Sequence, residues 1–229
     1  VSHLSNTGDI KIANGSYNGE TDYVRLSVGG VIGITFKSNR TCTVEYLDNS
    51  GDITFDATFS KYDTRIGGVI GFMYGLNVSH CTNSGNITIN SGAFYYLYCG
   101  GIVAYSGSSS IVNDAHNTGA IYMKKEVTQI HSLVLGGAVG YQQNDDATGT
   151  GDFNNVINDG AITIEANMPE NTNYNYFRIG GIAGWSQCEN NYNTNNGDIT
   201  ISGKLYNANA ENHSVCVAGI VGYKTVDAV

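Results

Sequence analysis

The phrase Asn-x-Gly-x-Ile occurs six times, beginning at Asn6, Asn49, Asn83, Asn117, Asn158 and Asn195, and a Gly-rich apolar phrase follows each copy. These second phrases are Gly30-Val31-Ile32-Gly33, Gly68-Val69-Ile70-Gly71, Gly101-Ile102-Val103-Ala104, Gly137-Ala138-Val139-Gly140, Gly181-Ile182-Ala183-Gly184 and Gly219-Ile220-Val221-Gly222. Self-similarity at a spacing of roughly 34–43 residues restricts the chain to a solenoid, propeller or array, because a single unit of that size must stack on its neighbours to bury an apolar face. Variation in the spacing assigns insertions to loops, the longest at residues 14–23, 124–131 and 166–175.

Within a copy the periodicity is that of strands. After the repeat Gly the pattern is Ile-x-apolar, as in Ile87-Thr88-Ile89 and Ile162-Thr163-Ile164, and such alternation marks a half-buried strand. A second alternating stretch ends at the glycines, with Leu97 and Cys99, Leu133 and Leu135, and Phe177 and Ile179 on one face. The Gly phrase itself has two adjacent apolar residues, so it is either covered on both faces or reset by a bulge. Thirty Gly and one Pro in 229 residues suit short strands and tight turns better than helices. The expected fold is all-β, a β-solenoid (β-helix-like) of about six repeats, with coils about 4.8 Å apart and residues 1–229 forming one repeat domain. The recurring Asn either forms an amide ladder along the axis or acts as an ordinary turn residue, with the Gly two positions on supplying φ > 0.

A net charge of −9 disfavours a nucleic-acid partner, and no apolar run reaches the roughly 20 residues that span a bilayer. The chain starts Val1-Ser2-His3-Leu4 without an initiator Met and ends six residues after the repeat stretch Gly219 to Tyr223, so it reads as a segment excised from a longer protein. Cys42, Cys81, Cys99, Cys188 and Cys216 form no CxxC pair, and Cys81 and Cys99 occupy slots that are apolar in most other copies, as core residues would.

Six ordered Asn-x-Gly-x-Ile phrases, each coupled to Gly-apolar-apolar-Gly, resemble the GLUG-motif repeats of bacterial surface proteins, including adhesins and regions of IgA-peptidase-type proteins. Two copies depart, with Ala104 for the last Gly and Ala218 before Gly219. The resemblance covers nearly the whole chain and implies an extracellular or cell-surface β-repeat region used for attachment or display. It carries over no catalytic residue and no cofactor.

No His-Glu-x-x-His or Gly-x-Ser-x-Gly phrase occurs, and the Asp slot of the turn (Asp9, Asp52, Asp198) is filled by Asn86, Ala120 and Ala161 elsewhere. The acidic loop containing Asp145, Asp146 and Asp152 offers oxygen ligands for Ca²⁺ without the spacing of an EF-hand. An aromatic column, Phe72, Tyr105, Tyr141, Trp185 and Tyr223, follows the Gly phrase, and unbroken alternation would turn it into the core. The outward positions of the preceding strand carry Arg25, Asp63, Arg65, Tyr96, Tyr98, Tyr176 and Arg178. Tyr and Arg anchor many interfaces, so Arg65, Tyr96, Tyr98, Tyr176 and Arg178 are the candidate ligand-binding residues. The reading is a non-catalytic adhesion or display scaffold for a host protein or glycan. Its alternatives are a carbohydrate-active β-helix enzyme, or its polysaccharide-binding accessory region, and a structural spacer.

Overall fold

The computed structural model describes residues 2–16, 25–36, 43–107, 110–144, 151–166, 175–203, 205 and 213–225. Its strands form three parallel sheets, of ten, nine and six strands, wound as a β-solenoid. Like residues stack from coil to coil: Ile87 pairs with Ile53 and Ile121, Asn117 with Asn83 and Asn158, and Val103 with Ile70 and Val139. The six sequence copies give about four enclosed turns, because the outermost copies are open on one side. Thus Ile53, Ile87, Ile121 and Ile162 are each 1% exposed, whereas Ile10 and Ile199 are only partly buried. Among the described residues no helix is long and apolar enough to cross a membrane.

Two short strands per copy fuse in the middle copies into single strands, Ile53–Gly67, Ile87–Gly100 and Ile121–Gly136. The expected loop at 124–131 is therefore strand. Register irregularities between Ile89 and Ala93 bend the strand, so that Ile87 and Ile89 face Phe94, Leu97 and Cys99 across one apolar cluster. A second cluster, with Leu47, Val69, Ile70, Met73, Val78 and Cys81, lies between the other two sheets.

Glycine separates the two clusters. A Cβ on Gly140 would lie 2.8 Å from the Cys99 carbonyl oxygen, and one on Gly100 would lie 2.2 Å from that of Val103. Backbone therefore packs directly on backbone where the second and third sheets meet. The second Gly of each pair lies against the Asn column: a Cβ on Gly101 would come within 2.3 Å of Asn117 Cγ.

The Asn residues do both things the sequence allows. Each Nδ2 donates one bond at 2.8–2.9 Å to the carbonyl of the Gly two residues on, as at Asn83 to Gly85, and in the first five copies another at 2.8 Å to the next coil's Asn Oδ1. Each interior amide thereby satisfies both N–H donors while fully buried.

The expectation that the Gly of Asn-x-Gly takes φ > 0 is corrected. Among the described residues only Gly75 and Gly92 are glycines with positive φ. The turn glycines serve close approach instead, since a Cβ on Gly85 would sit 2.0 Å from the Gly51 carbonyl oxygen. The left-handed corner lies three residues before each Asn, at His3, Tyr46, His80, Asp114, Asn155 and Tyr192, with φ between 51° and 58°.

Candidate binding groove

At the start of the third sheet, two consecutive N–H groups donate to one carbonyl of the neighbouring coil. Val69 and Ile70 both bond Ile102 O, Ile102 and Val103 both bond Ala138 O, and Ala138 and Val139 both bond Ile182 O. This doubled bonding has the character of a β-bulge, and it resets the alternation at every Gly phrase. Both apolar residues of the phrase consequently enter the second cluster.

The aromatic column then faces the other way from the sequence expectation. Phe72, Tyr105, Tyr141, Trp185 and Tyr223 belong to neither apolar cluster, although Phe72 and Tyr141 are buried by their neighbours in the column and on the second sheet. They contact the outward residues of the second sheet: Tyr105 lies 5.0 Å from Tyr98 and Tyr141 5.7 Å from Tyr98, centroid to centroid. The column is continuous, with successive centroids 4.4–5.7 Å apart, close to the coil spacing of about 4.8 Å.

The outer faces of the second and third sheets form the two walls of a groove along the solenoid. Its wider part, about 500 Å³, is lined by Tyr96, Tyr98, Tyr105, Ser132, Val134, Tyr141, Gln143, Tyr176, Arg178 and Trp185. A narrower part of about 220 Å³ shares Tyr98, Tyr105 and Gln143 and adds Arg25, Asp63, Arg65, Phe72 and Tyr74. The structure thus brings all five candidate residues to one groove, with Arg65 at one end and Arg178 toward the other. Unbroken alternation turns Tyr105, Tyr141 and Trp185 inward, and the bulge is what returns them to the groove.

The two arginines are almost wholly buried, at 3% exposure for Arg65 and 8% for Arg178. Arg65 donates to Asp63 Oδ2 at 2.9 Å and lies over Phe72 and Tyr105, 4.2 and 4.4 Å from their centroids. Arg25 reaches the same Asp63 oxygen at 3.5 Å. Arg178 lies over Trp185 at 3.6 Å and Tyr223 at 4.1 Å, with Tyr176 at 5.3 Å. Burial pushes both guanidiniums below their ordinary range, although arginine stays protonated at working pH. Burial likewise holds the Tyr98 hydroxyl well above its usual value, so it acts as a neutral donor and acceptor. Tyr96 stands at the rim beside Tyr95 and His131, whose rings stack at 4.5 Å. Tyr105 hydroxyl donates to Gln143 Oε1.

The Ca²⁺ expectation falls largely outside the described residues, where Asp145 and Asp146 lie. Asp152 pairs in register with Glu189 of the next coil, and burial together with that neighbour raises its pKa. No family model, curated protein or solved structure matches the chain.

Proposed function

We propose that this chain is a non-catalytic, glycan-binding β-solenoid of a bacterial cell-surface or secreted protein, serving attachment or display. The tyrosine-lined groove carries this reading. A sugar ring presents an apolar C–H face and a rim of hydroxyls, and a wall of stacked aromatics bearing Tyr and Gln polar tips complements both. The groove's volume lies within the range of small-molecule sites, about 300–1,000 Å³.

Recognition fits the lining better than acid–base catalysis does. A glycosidase needs two carboxyl groups flanking the scissile bond. Among the described residues the groove lining holds one carboxylate, Asp63, already engaged by Arg65 and Arg25.

The test is a glycan array followed by calorimetry on the hits, using the wild type and the rim variants Tyr96→Ala and Tyr176→Ala. The expected result is saturable binding to a subset of glycans, weakened about tenfold by each change, as for loss of an aromatic contact. Binding that is unaffected by both changes would place the ligand elsewhere.

A further inference from the structure

Arg65 and Arg178 stand in one register column of the second sheet, linked through Tyr98 and Val134. Their partners differ. Two residues before Arg65, on the same strand, Asp63 supplies the carboxylate; two residues before Arg178 the chain has Tyr176. No carboxylate among the described residues pairs with Arg178, whose buried Nε, like that of Arg65, has no hydrogen-bond partner. Its surroundings supply aromatic faces. Aromatic rings attract the face of a guanidinium, and they leave its in-plane N–H donors unused. A buried charge held without a partner anion is unfavourable, and a carboxylate reaching the Nη donors from the groove is the group that would neutralise it.

We infer that Arg178 is the anion anchor of the groove and takes the carboxylate of an acidic saccharide. This rests on the glycan reading above and deepens it. The chain's net charge of −9 repels polyanions, and one unpaired guanidinium among the described groove residues matches one carboxylate at a time. The ligand is therefore a largely neutral saccharide bearing isolated uronic-type acids.

Trp185 is the only tryptophan in the chain and lies against Arg178, so its fluorescence reports on this position directly. The experiment titrates the 229-residue chain with cellobiouronic acid and with cellobiose at matched ionic strength, alongside an N-acetyl-aspartyl dipeptide. The acid should perturb Trp185 emission saturably and bind roughly tenfold more tightly than cellobiose. Arg178→Gln should bring the two sugars to equal affinity, while Arg178→Lys should keep part of the preference. Circular dichroism checks that each variant is folded, and the acid-against-neutral comparison on the wild type needs no variant.

Equal binding of acid and cellobiose by the wild type, or an acid preference that survives Arg178→Gln, overturns the role of Arg178 and leaves the glycan reading standing. A response to the dipeptide alone, or to none of the three probes, overturns the inference; together with a blank glycan array it overturns the glycan reading as well.

Discussion

Asn117 shows what one residue contributes to such a stack. It is fully buried, donates to Gly119 O and Asn158 Oδ1, and accepts from Asn83 Nδ2. Asn117→Ala would leave those three groups unpartnered in the interior, each costing about 1–3 kcal/mol, so a loss of about 3–5 kcal/mol is expected in urea unfolding. Asn6→Ala, at the partly exposed end of the ladder, should cost about 1 kcal/mol. Tyr192 makes the opposite case. It holds φ at 56° with 88% of its surface exposed, so it carries left-handed strain with little packing in return. Relief of roughly 1–2 kcal/mol of strain, less about 0.5–1 kcal/mol of added backbone entropy, predicts that Tyr192→Gly raises the unfolding midpoint slightly. Tyr46→Gly should not gain in this way, because the Tyr46 ring stacks between His3 and His80.

At the scale of the strand, the doubled hydrogen bond at the Gly phrase decides which way everything after it points. Alternation in Ile-x-Ile and in Leu97-Tyr98-Cys99 was legible because side-chain period and strand period coincide. The bulge left two readings open, since adjacent apolar residues are equally consistent with a strand covered on both faces. Hence unbroken alternation places Phe72, Tyr105, Tyr141 and Trp185 in the core, whereas the outward positions before the glycines lie in the groove. Register, not composition, carries that information. The glycines fix where the sheets meet, and their substitution tests this. Gly101→Ala would place a Cβ 2.2 Å from the Gly137 carbonyl oxygen and 2.3 Å from Cγ of the buried Asn117, which its ladder bonds hold in place, and should cost about 3 kcal/mol or more. Gly219→Ala, with nothing within 4 Å, should leave the melting temperature nearly unchanged. The strand Ile121–Gly136 also carries a pH effect through His131, whose burial lowers its pKa. The unfolded chain then takes up the proton first: the stability contribution of neutral His131 is full above about pH 6.5 and declines as pH falls toward the depressed folded value. His131→Gln should flatten that decline, read as urea midpoints at pH 7.5 and 5.5.

Taken as a whole, the molecule is a one-dimensional stack, and its stability should vary along the axis accordingly. The number of copies and their strand character were evident from the repeats. The openness of the outer coils was not, because sequence gives each copy the same apolar slots while burial depends on having neighbours on both sides. In the last described copy Val215 and Val217 are 44% and 47% exposed, although they occupy the same slots as Leu97 and Cys99, which are 0% exposed. The cysteines make this gradient measurable. Cys99 and Cys81 are sealed in the two apolar clusters, and burial raises their thiol pKa to about 12 and about 11, so neither the thiolate nor access is provided in the folded state. Cys216 is partly exposed in the outer copy. Alkylation by iodoacetamide at pH 8, located by mass spectrometry along a urea series, should therefore label Cys216 well below the global midpoint. Cys81 and Cys99 should stay unlabelled until that midpoint is reached. Simultaneous labelling of all three would mean that the stack unfolds as one unit, and that the exposed valines of the outer copy do not lower its local stability.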